Sequence, residues 1–73
     1  MAENKRVKFT LVFKFNFSDD IITYKTIRYC ESLELMMFYA DDWLEKYGEK
    51  YGEWFVVEIY EELKLVSLIV NDK

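Results

Sequence analysis

The chain has 73 residues, a net charge of −4, 19% aromatic side chains, one Cys and no His, which leaves room for a single domain around one layer of core. A lone Cys cannot form an internal bridge, and without His a structural zinc site lacks its usual ligands. A domain this short buries only about 60% of the surface that its unfolded chain exposes. Dense aromatic packing, a homodimer, or both must therefore make up the stability.

The first element is a strand. From Val7 to Phe17 every odd position is apolar (Val7, Phe9, Leu11, Phe13, Phe15, Phe17), while Lys8, Thr10, Val12, Lys14 and Asn16 alternate with them. A period of two is the mark of a strand with one buried face. Ser18, Asp19 and Asp20 supply a turn, and Ile21 to Cys30, rich in β-branched and aromatic residues, returns as a second strand. The hairpin spans 7–30, and no Gly declares its turn type. Cys30, closing that strand, reads as a small buried hydrophobe, and the scarcity of thiols suits a reducing cytoplasm.

A helix over 32–47 follows, with Ser32 as its cap and Glu31 and Glu34 near its positive end. Leu33, Met36, Met37, Ala40, Trp43, Leu44 and Tyr47 recur three and four apart as one apolar stripe. Gly48 is placed to end the helix in a left-handed conformation, and 48–53 reads as a loop. Residues 54–70 satisfy helical spacing through Val56, Ile59, Leu63, Val66 and Val70. Their β-branched density instead favours a second hairpin with Glu61 and Glu62 at the turn. The expectation is one α+β domain over 1–73, ordered β-β-α-β-β, a small antiparallel sheet with one helix packed on it.

Catalysis finds little support. Ser and Cys have no imidazole to activate them, and the dense carboxylate sets sit where no apolar pocket would raise their pKa. Asp41, Asp42, Glu45 and Glu49 do not match the spacing of an EF-hand. No cofactor, metal or enzyme activity is expected. No run approaches 18 uncharged apolar residues, so no membrane span is expected either, and Lys14 and the lack of a cleavage site argue against a secretory leader.

Charge is the most informative feature. Residues 1–30 carry six Lys/Arg against three acids, and residues 31–73 carry four against eleven. Ten of those acids lie between Glu31 and Glu62, opposed only by Lys46 and Lys50. Helical positions four apart rise about 6 Å along the axis, comparable with the spacing of phosphates along a DNA strand. A row of Glu34, Asp41, Asp42, Glu45, Glu49 and Glu53, with Glu58, Glu61 and Glu62 as a second cluster, could therefore occupy the DNA-binding surface of a basic protein. Phe38 and Tyr39 would serve as aromatic anchors. On this reading the chain does not itself bind nucleic acid.

The run ESLELMMFYADDWLEKYGEKYGE and the cluster EIYEEL resemble the small acidic proteins that bacteriophages make early in infection to disable host factors. Several of those are DNA mimics that inhibit uracil-DNA glycosylase, restriction enzymes or nucleoid proteins such as the histone-like protein HU. The resemblance is one of overall style and carries no specific motif. It implies a non-enzymatic inhibitor, working in the host cytoplasm, that binds a basic host DNA-binding protein. Two alternatives stay open. One is an antitoxin-like or anti-CRISPR-like interaction module using exposed aromatics. The other is a single-strand nucleic-acid platform built on Lys5, Arg6, Lys8, Lys14, Lys25 and Arg28 among Tyr24 and Tyr29.

Overall fold

A computed structural model describes residues 6–71; Lys5 lies outside them, as does the side chain of Glu49. Within that span the chain runs β1 (Val7–Phe17), β2 (Asp20–Cys30), α1 (Leu33–Tyr47), a 3₁₀ helix (Gly48–Tyr51), β3 (Glu53–Glu61) and β4 (Lys64–Val70). The class is α+β, with element order β-β-α-β-β and an all-antiparallel sheet ordered β2-β1-β3-β4. Residues 54–70 are thus strands, as their β-branched content favours over helical spacing.

Alternation along β1 decides the core. Phe9, Leu11, Phe13 and Phe15 are fully excluded from solvent, and Val57 and Ile59 on β3 join them in register opposite Phe13 and Leu11. Met36, Ala40 and Leu44 of α1 belong to the same buried cluster, and the Trp43 ring lies 4.5 Å from that of Phe13. Those three helix residues fall at successive intervals of four, so they present one face. The pattern weakens at its ends, where Val7 is half-buried and Phe17, beside the turn, is exposed.

Helix α1 begins where Ser32 accepts a hydrogen bond from the Leu35 amide through its hydroxyl oxygen at 3.3 Å, which satisfies one of the free N–H groups of the first turn. Its end departs from the expected left-handed stop. Gly48 has φ −55° and ψ −45°, and its amide still donates to the Leu44 carbonyl. The chain tightens directly into the 3₁₀ helix, so 48–53 is not a plain loop. The left-handed residue is Gly52, with φ +106°, where a Cβ would stand 2.5 Å from the Asn16 carbonyl oxygen. The second Lys-Tyr-Gly, not the first, makes the reversal.

Both hairpin loops contain two residues, Ser18–Asp19 and Glu62–Leu63. Asp20 therefore starts β2 opposite Phe17, and Glu61 ends β3 opposite Lys64, which shifts the second turn one residue beyond the expected Glu61–Glu62. In each loop the first residue is left-handed, Ser18 at φ 61° and Glu62 at φ 59°, where primed hairpin turns favour Gly or Asn. Two irregularities bend the sheet. Phe55 has no partner on β1 and Val66 has none on β3. Asn71 fastens the first of them, donating from its amide to the Phe55 carbonyl and from its side chain to the Trp54 carbonyl at 2.7 Å.

An L-residue held left-handed costs about 1–2 kcal/mol, partly offset by the entropy that Gly adds to the unfolded chain. Ser18→Gly and Glu62→Gly should each raise stability in urea melts by about 0.5–1 kcal/mol. Gly52→Ala should lower it by about 2 kcal/mol or more. An unchanged midpoint in Gly52→Ala would show that the β3 entry does not need the close approach to Asn16.

Candidate functional site

The turn of α1 sorts the acidic residues by position. Glu34, Phe38, Asp41 and Glu45 lie opposite the buried stripe of Met36, Ala40 and Leu44 and are exposed, Phe38 at 73%. Among the described residues none of these three acids has an ion-pair partner. Glu53, exposed at the start of β3, borders a hollow that Glu45 and Trp54 also line, so the row continues beyond the helix end. Glu49 falls between them in the 3₁₀ helix.

Other expected members sit elsewhere. Asp42 is turned toward β2 and pairs with Lys46 at 3.1 Å, one helical turn away; this carboxylate holds the Lys46 ammonium above its ordinary pKa, through the hydrogen bond first and then the charge. Tyr39 faces the same way. Its hydroxyl accepts from the Arg28 Nε at 2.7 Å, and the guanidinium lies 5.2 Å from its ring centroid. Glu58 is on the far face of the sheet. The second acidic cluster does not form, because strand alternation sends Glu58 and Glu61 to opposite faces and Glu62 occupies the turn.

Glu58 closes a small network. Its Oε2 accepts from Lys14 Nζ at 3.0 Å and its Oε1 from the Tyr60 hydroxyl at 3.0 Å. Both hydrogen bonds favour the carboxylate, Lys14 more than Tyr60, and together they hold Glu58 below the usual carboxylate range. The same bond raises Tyr60, whose proton is engaged by Glu58.

The basic hairpin is also divided. Lys8, Lys14, Lys25 and Tyr29 point away from α1, whereas Tyr24 and Arg28 point toward it. Tyr24 is in register with Phe13 and stacks on Trp43, with ring centroids 5.3 Å apart and planes 12° from parallel. Tyr51, from the 3₁₀ helix, stacks on the same indole at 5.7 Å and 14°. This aromatic cluster borders a cleft of about 350 Å³ whose rim carries Arg28, Lys46 and Lys50. Sequence reading placed Trp43 and Tyr47 on the helix stripe but assigned Tyr24 to the basic surface. The pairing register between β1 and β2, had it been known, would have turned Tyr24 inward with Phe13.

Among the described residues no group of His, Cys, Asp or Glu gathers as metal ligands, and no helix is long and apolar enough to cross a membrane. The described side chains also leave no buried polar atom without a partner. No family model matches the chain, and neither curated proteins nor solved structures yield a match.

The Glu58 network has a pH signature. A carboxylate lowered in the folded state stabilises above its ordinary pKa, and that stabilisation is lost as pH falls through the folded value. The acid limb of the stability curve below about pH 5 should therefore be shallower in Glu58→Gln, with a difference of about 1 kcal/mol or less for a pair this accessible. Urea midpoints of the two proteins across that range would show it. Identical slopes would mean the network contributes nothing.

Proposed function

We propose that this protein is a non-enzymatic binding module that uses the outward face of α1 to occupy the basic, DNA-binding surface of a partner protein. The observation that carries the reading is Phe38, largely exposed at the centre of Glu34, Asp41 and Glu45. Single exposed apolar side chains are common on soluble proteins, but Phe38 is the most exposed large hydrophobic of α1 and stands among acids that have no ion-pair partner among the described residues. An apolar anchor ringed by charge is the usual anatomy of an interaction surface. The helix offers this face because its opposite stripe shares the sheet's core, so α1 resting on the sheet and the row facing outward are one arrangement.

The acids are also free to act. Among the described residues, Asp42 and Glu58 are the acids with lysine partners and lie off the row, while Glu34, Asp41 and Glu45 on it are outside any ion pair. Asp41 and Glu45, at i and i+4, stand about 6 Å apart along the axis, with Glu34 seven residues earlier, and a surface built to bind phosphates by Lys and Arg would accept such charge. The reading agrees with the style of the phage inhibitors that the sequence resembles, and an intracellular partner follows from it. The row is short, running through Glu34, Asp41, Glu45 and Glu53, so it covers only part of a DNA site.

The test is a nuclease-treated bacterial lysate passed over the immobilised protein and eluted in stepped salt. A small basic DNA-binding protein should be retained, released by moderate salt and displaced by added duplex DNA. Reversing Glu34, Asp41 and Glu45 to Lys should abolish capture. Phe38→Ala should weaken it by about tenfold, the effect of losing an anchor worth 1–2 kcal/mol. Capture that survives the triple reversal, or that DNA cannot displace, would refute the mimicry.

A second reading attaches to the sheet's other face. Lys8 and Lys25 share it with Ile27 and Tyr60 around a hollow of about 700 Å³. Cations beside aromatics suit single-stranded nucleic acid, but Glu58 already holds Lys14 and Glu62 stands at the rim. A shift of labelled single strands in a gel at low salt would favour this face over α1.

A further inference from the structure

Strand β4 ends the sheet, and its outer edge has no partner among the described residues. Between Lys64 and Asn71 it reads Leu65-Val66-Ser67-Leu68-Ile69-Val70, six residues without a charge. Natural sheets usually blunt a free edge with Lys, Pro, inward charge or a bulge. Here Lys64 at the start of β4 and the bulge at Val66 are such devices, and beyond them Ser67 to Val70 is regular and uncharged. The opposite edge differs. Strand β2 carries Asp20, Lys25 and Arg28 along its length, the pattern of an edge kept from pairing.

Apolar side chains flank the β4 edge on both sides of the sheet. On the face away from α1, Leu65, Leu68 and Val70 are 44%, 50% and 58% exposed. On the α1 face, Ile69 is half-buried, and the Met37 sulfur lies 3.5 Å from the Ser67 hydroxyl. An edge of unpaired backbone donors and acceptors between two apolar borders fits another strand of the same kind. The Asn71 bonds to Trp54 and Phe55 hold the end of β4 in place, so the edge is preformed.

We infer that the protein forms a homodimer by antiparallel pairing of β4 with β4 of a second copy, giving one continuous eight-stranded sheet. Antiparallel pairing of a strand with itself is closed by a two-fold axis, so each edge satisfies the other and association stops at two. Pairing β4 with β2 would leave a free β4 at one end and a free β2 at the other, which pair again without limit, and the charges on β2 oppose it. The two-fold axis stands perpendicular to the sheet, so both α1 helices lie on the same side and both acidic rows face the same way. That last consequence rests on the function proposed above; the dimer does not.

Sedimentation over a range of concentrations, combined with hydrogen exchange, tests the inference. A monomer–dimer equilibrium is expected, with alternate amides of Ser67 to Val70 becoming protected as the dimer fills and those of β2 unchanged. Leu68→Lys and Val70→Lys place a charge at half-exposed positions and should weaken the dimer by about tenfold or more while the circular dichroism is retained. Ile27→Lys, on the same face but on β2, should leave it intact, as should the triple reversal on α1. A monomer at every concentration overturns the inference. So does open-ended growth, or loss of association in Ile27→Lys, which would mean that the dimer forms through the open faces of the sheets. If a Lys variant fails to fold, the exchange of wild-type β4 amides still decides the matter.

Discussion

Hydrogen bonding on both sides of β1, together with its run of inward Phe9, Leu11, Phe13 and Phe15, is the constraint from which the rest of the architecture follows. A strand paired on both edges cannot slip by one residue without moving four large side chains from the core into water. Each full burial of such a side chain is worth about 1.5–3 kcal/mol, so the register is firmly held. Val57 and Ile59 of β3 and Tyr24 of β2 take their facing from that register. The helix stripe then has one place to go. Trp43 settles against Phe13 and gathers Tyr24, Tyr47 and Tyr51 around its indole, which extends the core sideways in a chain too short to deepen it.

One helix and a four-stranded sheet present two surfaces with different chemistry. The face of α1 turned away from the core is acidic, with Phe38 at its centre. The open face of the sheet mixes lysines with aliphatic and tyrosine side chains, and its central polar groups, Lys14, Glu58 and the Tyr60 hydroxyl, satisfy one another. This internal neutralisation matters because it removes Glu58 from any shared acidic patch and Lys14 from any shared basic one. Among the described residues, the helix row on one side and Lys8 and Lys25 on the other carry charges outside any ion pair. The two edges of the sheet are just as unequal, with charge along β2 and none between Leu65 and Val70 of β4.

Most of the architecture was legible because it depends on local periodicity. Alternation marked β1, the three-and-four spacing marked α1 with Ser32 as its cap, and β-branched density marked β3 and β4. The departures came where a long-range contact decides the backbone. Gly48 had the right residue type for a left-handed stop, yet Gly52 takes that role because the chain must there pass the Asn16 carbonyl with no room for a Cβ. The first turn fell at Ser18–Asp19, within the expected stretch, while the second moved to Glu62–Leu63, and neither Ser18 nor Glu62 is a type that announces a left-handed position. Of the candidate site, Glu34, Asp41, Glu45 and Phe38 could be placed on one face by helical spacing alone. Asp42 pairs within the helix with Lys46, four residues on, whereas the contact of Tyr39 with Arg28 of β2 is one that helical spacing cannot show.

By itself, then, the sequence determined the elements, their order and the division of charge between a basic first hairpin and an acidic second half, because these depend on neighbours a few residues apart. Only the tertiary structure decided which charges are free. Lys14 and Glu58 are 44 residues apart in the chain and 3.0 Å apart in space, and Arg28 reaches Tyr39 only because β2 runs beside α1. The pairing of β1 with both β2 and β3 brings those groups together, and no spacing within one segment encodes it. The same pairing left β4 at the edge, which turned an ordinary apolar run into an open one.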